Sequence, residues 1–68
     1  MEIKLLGSDK VYWRDTWEHE FEINGEKHQL RVYDTPDELT YWFDEEEFYS
    51  EEDEVIEGIT IGDLLGWV

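Results

Sequence analysis

The chain has 68 residues, of which 20 are Asp or Glu and 5 are Lys or Arg, so its formal net charge is −15. A chain this short forms one domain at most, residues 1–68, and buries only about 60% of the surface that its unfolded form exposes, which leaves little room for a walled catalytic pocket. Cysteine is absent, which excludes disulfides and thiolate metal sites.

The acidic composition also restricts the partners. Anionic lipid and nucleic acid both repel such a chain, so we expect neither as a direct partner. No run of 18 apolar residues occurs, and Met1 to Leu6 alternates charged with apolar residues, so we expect no membrane span and no signal peptide. A cytoplasmic location is therefore expected. Aromatic residues make up 16% of the chain, which favours a packed core over a disordered acidic tail.

The charge is distributed unevenly along the chain. Residues 1–33 contain all five basic and seven acidic residues, so their net charge is 5 − 7 = −2. Residues 34–68 contain thirteen acidic residues and no basic one, which gives −13. This pattern predicts a nearly neutral scaffold followed by an anionic surface.

The N-terminal residues favour short strands. Ile3 and Leu5 form one apolar stretch and residues 11–13 form another, with the turn-like run Gly7-Ser8-Asp9 between them. We therefore expect one or two short antiparallel strands here.

Residues 17–33 carry the clearest signal, that of a β-hairpin. Apolar and aromatic side chains alternate with glutamates from Trp17 to Ile23, and Asn24-Gly25 then supplies a type I′ turn. A two-residue loop predicts these cross-strand pairs: Ile23 with Glu26, Glu22 with Lys27, Glu18 with Arg31, Trp17 with Val32, and His19 with Leu30. Opposite charges then meet on one face, and mostly apolar residues meet on the other.

After Tyr33 the pattern favours helices. Thr35-Pro36-Asp37-Glu38 has the order of a capping box, so a helix is expected to begin at Pro36. Leu39, Trp42 and Phe43 follow at helical spacing. Residues 50–53 offer a second N-cap, with Val55 and Ile56 as apolar anchors and Gly58 as a stop, which predicts a second short helix.

The C-terminal residues leave two alternatives. Residues 59–61 form a last strand in one, whereas in the other Thr60 and Asp63 cap a turn that contains Leu64, Leu65 and Trp67. The predicted fold class is α+β, with a small antiparallel sheet of three or four strands, built around the hairpin 17–33, and one or two short acidic helices.

Residues 44–54, here called the acidic tract, are the candidate functional site. Closely spaced carboxylates match the charge density of a nucleic-acid backbone, and aromatic side chains among them are suited to anchoring an interface. The residues predicted to bind a partner are Asp44, Glu45, Glu46, Glu47, Phe48, Tyr49, Glu51, Glu52, Asp53 and Glu54. A solvated acidic face with two core aromatics, or the surface of a halophilic protein, is the ordinary explanation of such a tract.

Metal and catalytic sites are expected to be absent. The tract lacks the Asp-x-Asp-x-Asp-Gly order of a calcium loop. His19 and His28 share a predicted face and would need Glu26 to begin a zinc site, but packed strand histidines are more common. Glu20 and Glu22 form a carboxylate pair of the kind that arises by chance in so acidic a chain. We therefore predict no catalytic residue, no metal and no cofactor.

The tract resembles a known class of proteins. Asp44-Glu45-Glu46-Glu47-Phe48-Tyr49 looks like the acidic-aromatic stretch of some anti-CRISPR proteins, which belong to the small acidic inhibitors that phages and mobile elements use to imitate DNA. The resemblance implies a stoichiometric, non-enzymatic inhibitor in a bacterial cytoplasm. Its partner would be a basic nucleic-acid-binding protein: a CRISPR effector nuclease, a restriction enzyme, a glycosylase or a polymerase.

One other function class is consistent with the sequence. The chain would then be an acidic interaction module that binds through exposed aromatic residues, as a homodimer across a strand edge in one version. Binding that hardly depends on salt would favour this alternative.

Overall fold

A computed structural model of the protein describes residues 2–11 and 16–68. Its secondary structure is mostly β. The strands are β1 (Ile3–Val11), β2 (Thr16–Ile23), β3 (Glu26–Asp34), β4 (Leu39–Phe43), β5 (Glu46–Phe48), β6 (Glu54–Ile56) and β7 (Ile59–Thr60), and they are followed by the helix α1 (Ile61–Leu65). Strands β1 to β5 form an antiparallel sheet in chain order, and β6 and β7 form a separate antiparallel pair.

The predicted hairpin is confirmed. Strands β2 and β3 pair in the expected register, from Ile23 opposite Glu26 to Trp17 opposite Val32. Asn24 and Gly25 both have positive φ, at 51° and 85°, which is the requirement of a type I′ turn. Turn chemistry, apolar alternation and charge pairing all act over a few residues here, so they specify one register.

The predicted turn at Gly7-Ser8-Asp9 is wrong. Strand β1 continues through these residues and pairs with β2 along its length, with an irregularity between Leu5 and Gly7. A strand can absorb a glycine at such a bulge, where the ladder is already interrupted. Of the second predicted stretch, Val11 ends β1, and residues 12–13 lie outside the described residues.

The helix predicted at Pro36 is also wrong, because the capping signals close a turn. The backbone N–H of Thr35 donates to the carbonyl of Glu38 at 3.0 Å, and the Thr35 hydroxyl accepts from the Glu38 N–H at 3.1 Å. Strand β4 then begins at Leu39 and pairs with β3. Its sequence, Leu-Thr-Tyr-Trp-Phe, is rich in residues that favour a pleated surface.

The second predicted helix is wrong for a similar reason. Ser50 and Asp53 close another turn, with the Asp53 N–H donating to the Ser50 carbonyl at 3.1 Å. Val55 lies in β6, and Gly58, with φ of 81°, lies in the turn to β7. The α+β prediction is therefore corrected to a mostly antiparallel β fold with one short helix in the part of the chain that the structure describes.

At the C-terminus the structure combines the two alternatives. Ile59 and Thr60 form β7, and Thr60 is also the N-cap of α1. The Thr60 hydroxyl accepts from the Asp63 N–H at 3.1 Å, and the Asp63 carboxylate accepts from the Thr60 N–H at 3.0 Å. This reciprocal pair is a capping box, and it agrees with the alternative in which Thr60 and Asp63 cap the C-terminal turn.

The core lies between one face of the sheet and the C-terminal segment. The buried apolar residues of the sheet are Phe21, Ile23, Leu30, Tyr41 and Phe43, and those of the C-terminal segment are Ile59, Ile61 and Leu64. The sheet residues alternate along their strands, as a single buried face requires. Three residues near the end of the chain thus complete the core.

Leu64→Ala tests whether the C-terminal segment completes the core. Leu64 is fully buried, so its truncation should lower the free energy of unfolding by about 2–5 kcal/mol through lost burial and a cavity. Leu39→Ala is the matched control, because Leu39 is 46% exposed and should cost less than about 1 kcal/mol. Urea unfolding followed by tryptophan fluorescence measures both. Equal losses in the two variants would contradict the described core.

Candidate functional site

The acidic tract begins with the turn between β4 and β5. Asp44 and Glu45 occupy the turn with φ of 48° and 73°. Aspartate tolerates this left-handed conformation, whereas for glutamate it is strained. The turn therefore needs support from its surroundings.

Asp44 supplies that support by contacting β3. One carboxylate oxygen accepts from the backbone N–H of Gln29 at 2.9 Å, and the other is hydrogen-bonded to Nδ1 of His28. The Asp44 N–H also donates to the Gln29 carbonyl at 3.0 Å. The first carboxylate of the tract thus has a structural role.

Strand β5 carries the next two acids to opposite sides of the sheet. Glu46 lies opposite Phe43 and Glu47 opposite Trp42, so the two side chains share faces with different neighbours. The Tyr49 hydroxyl donates to a carboxylate oxygen of Glu47, and this hydrogen bond raises the pKa of Tyr49.

The last part of the tract packs against the C-terminal segment through its backbone. The carbonyl of Glu51 accepts from the Gly62 N–H at 2.8 Å, and that of Asp53 accepts from the Ile61 N–H at 3.0 Å. The Asp53 carboxylate accepts from the Ser50 N–H, and that of Glu54 accepts from the Gly58 N–H at 3.0 Å.

The ten predicted partner-binding residues therefore divide into two groups. Phe48 is half-buried and packs against the core, and Asp44, Glu47, Asp53 and Glu54 make the intramolecular hydrogen bonds described above. The residues that remain available are exposed, and within the described residues their side chains form no hydrogen bond: Glu45, Glu46, Glu51 and Glu52. Tyr49, with 65% exposure, is the available aromatic anchor.

Two of the available carboxylates lie at the β5 edge of the sheet and two lie in the turn that follows β5, so the four are not arranged along a helix. Strand β5 has three residues and spans roughly 10 Å at about 3.3 Å per residue. Glu45 and Glu46 are at its beginning, whereas Glu51 and Glu52 come after its end. We call these four carboxylates the acidic edge.

A cleft beside this edge was not predicted from the sequence. It has a volume of about 350 Å³ and is lined by Gln29, Arg31, Tyr33, Trp42 and Glu45. The rings of Tyr33 and Trp42 meet edge to face, with centroids 6.4 Å apart. A strand assignment for residues 39–43 would have indicated the cleft, because Trp42 then falls opposite Arg31 on the face away from the core.

The charge of Arg31 in this cleft is already compensated. Its Nε lies 2.8 Å from a carboxylate oxygen of Glu18, its cross-strand partner. The Nε–H bond is not aligned as a hydrogen bond to that oxygen, so the contact is an ion pair at short distance. It does not give the cleft a net positive charge.

The histidines do not form a metal site. His28 stacks on Phe43 at 5.2 Å, and its Nε2 lies 3.8 Å from Glu26. His19 is buried and its Nδ1 is 2.7 Å from the Ser8 hydroxyl. Among the described residues no group of three or more His, Asp or Glu is arranged to hold a metal ion.

The predicted carboxylate pair also has no catalytic environment. Glu22 lies 4.0 Å from Lys4, and Glu20 is exposed on the same face of β2. Neither carboxylate is buried, so neither has the desolvated setting that marks out a general acid.

Comparisons with known proteins do not identify a relative. No protein-family model, no curated protein and no solved structure matches the chain. In the part of the chain that the structure describes, no helix has the length and apolar character needed to cross a membrane.

The buried His19 predicts a pH dependence of stability. Burial lowers the pKa of His19, so the unfolded chain takes up the proton first as the pH falls. The stability that the neutral His19 ring contributes is fully present above its pKa in the unfolded chain, about 6.5. As the pH falls below that value, this contribution is lost progressively, down to the lower pKa of His19 in the folded protein.

His19→Gln should remove this loss, whereas the control His28→Gln should retain it. Thermal melts between about pH 7.5 and about pH 5.5 measure the difference, since His19 changes protonation near this range. The role given to His19 would be contradicted if the melting temperature still fell with pH in His19→Gln but no longer did so in His28→Gln.

Proposed function

We propose that this protein is a non-enzymatic inhibitor whose acidic edge occupies the basic nucleic-acid-binding groove of another protein. One observation carries the proposal: four exposed carboxylates lie at strand β5 and in the turn after it, in a half of the chain without any Lys or Arg. These carboxylates would pair with Lys and Arg side chains that normally hold phosphates. Nucleic acid and the inhibitor would then compete for one surface.

The electrostatic argument concerns unrelieved repulsion. Residues 34–68 carry thirteen acids without a basic side chain, so their charges repel one another in the free protein. A cationic groove laid over the acidic edge relieves that repulsion and also attracts the inhibitor from a distance. Fast, salt-sensitive association is the expected consequence.

The resemblance to anti-CRISPR proteins determines which targets come first. The candidates are a CRISPR effector nuclease, a restriction enzyme, a glycosylase and a polymerase, all in a bacterial cytoplasm. Tyr49, which follows β5 in the chain and is 65% exposed, would fill a pocket of such a target.

The double variant Glu46→Lys/Glu52→Lys tests the acidic edge. It should weaken displacement of duplex DNA from a responsive target at least about tenfold, mainly through slower association, while the free protein becomes no less stable. The control Glu20→Lys/Asp37→Lys makes the same change in charge at exposed positions outside the tract. The measurement is a mobility-shift competition with one purified member of each target class.

Two results would count against the proposal. Failure to displace DNA or guide RNA from every target would remove the function itself. Equal weakening by the two double variants would show that net charge, and not the acidic edge, determines binding.

A second candidate function rests on the exposed aromatic residues. Trp17, Tyr49 and Trp67 are 44%, 65% and 53% exposed, which suits an interaction module that binds through aromatic rings.

The dependence of the association rate on salt concentration distinguishes the two candidate functions. Raising NaCl from about 0.05 M to about 0.5 M should slow association at the acidic edge about tenfold or more, because the added ions screen the attraction between the charges. Binding through aromatic rings should hardly depend on the salt concentration.

A further inference from the structure

Strand β1 forms the sheet edge opposite the acidic edge. It pairs with β2 on one side, and no described strand pairs with its other side. It has nine residues, of which Lys4 to Lys10 are all exposed. Such an edge presents a row of backbone donors and acceptors to another strand.

The charge of β1 differs from that of the rest of the molecule. Lys4 and Lys10 against Asp9 give 2 − 1 = +1, which makes β1 the one described strand with a positive net charge. A second acidic chain is therefore repelled least at this edge. Leu5 and Leu6 add exposed apolar surface there, at 37% and 46%.

The bulge in β1 creates a self-complementary arrangement. Lys4 lies opposite Glu22 and Asp9 opposite Glu18, so both project on the same face of the sheet. Five residues apart, they would lie on opposite faces of a regular strand. The irregularity between Leu5 and Gly7 is what brings them together on one face.

We propose that two copies of this chain pair through β1 in an antiparallel, two-fold symmetric arrangement that places Lys4 of each copy opposite Asp9 of the other. In the same register Leu5 falls opposite Ser8, and both belong to the core face. Leu6 falls opposite Gly7, where an added Cβ would have no atom within 4 Å, so there is room for the partner's side chain. The symmetry forms both ion pairs at once.

The pairing also offsets an unfavourable pair of like charges within each copy. Asp9 lies beside Glu18 across the β1–β2 pair, so two like charges are neighbours. Lys4 of the second copy gives Asp9 an opposite charge. The interface is small and both copies are strongly anionic, which predicts a weak dimer that salt strengthens by screening the overall repulsion. This dependence is the reverse of that expected for the acidic edge.

Complementary variants test the register. Lys4→Glu alone and Asp9→Lys alone should each weaken self-association about tenfold or more, because both ion pairs become repulsive. An equimolar mixture of the two single variants should restore dimerisation, as should Lys4→Glu and Asp9→Lys in one chain. Lys27→Glu is the control, because it makes the same change in charge as Lys4→Glu at an exposed position away from the edge.

Sedimentation equilibrium from about 10 µM to about 1 mM covers the range of a weak dimer, and thermal melts confirm that every variant is folded. A monomer throughout this range would overturn the proposal. So would a mixture that associates no better than its components, or a control that weakens the dimer as much as Lys4→Glu. These results are independent of the proposed inhibitor function, which is measured with a separate target.

Discussion

The apolar contact between the C-terminal segment and the sheet is the interaction on which the rest of the structure depends. Ile59, Ile61 and Leu64 are almost completely buried against the sheet core. Along the sequence, a stretch of carboxylates that repel one another separates these three residues from the core residues of the sheet. Apolar burial of about 1.5–3 kcal/mol per large side chain offsets that repulsion and holds the acidic half in place.

The hydrogen bonds of the acidic tract serve the same purpose locally. Asp44 holds the β4–β5 turn to β3, and Asp53 and Glu54 close the turns on either side of β6. Each of these carboxylates accepts a charge-assisted hydrogen bond from a backbone N–H. The tract therefore combines acids that maintain the fold with acids that face the solvent. Composition alone cannot separate these two kinds.

The sequence predicted structure well where the determining contacts are local. Asn24-Gly25 and the alternating apolar and charged residues on either side of it specify a hairpin within a few residues. The register between β2 and β3 follows from these local signals. Thr35 and Glu38 also act locally, but they specify only a turn. The structure of residues 39–43 is decided by pairing with β3, in which Phe43 meets Leu30 thirteen residues earlier. Leu39, Trp42 and Phe43 fit a helix or a strand equally well until that pairing is known.

The density of carboxylates selected residues 44–54 as the candidate site, and this selection stays a prediction. The acidic helices of the predicted fold class are replaced here by turns and short strands. The turn at Asp44-Glu45 lacks the Asn or Gly that usually marks a hairpin, and its positive φ values depend on contacts with His28 and Gln29. The helix hypothesis grouped Trp42 with Leu39 and Phe43 at helical spacing, so the cleft beside Trp42 was not predicted.

The order of the strands converts an uneven sequence into an uneven surface. Strand β1, with a net charge of +1, and β5, with two glutamates, occupy opposite edges of one sheet. The electric field of this molecule attracts a cationic groove to the β5 edge. A second copy of the chain meets the least repulsion at the β1 edge. Because the two edges are separated by three strands, occupation of one leaves the other exposed. Under the two proposals, a chain of 68 residues would carry two binding surfaces of opposite electrostatic preference on a single small core.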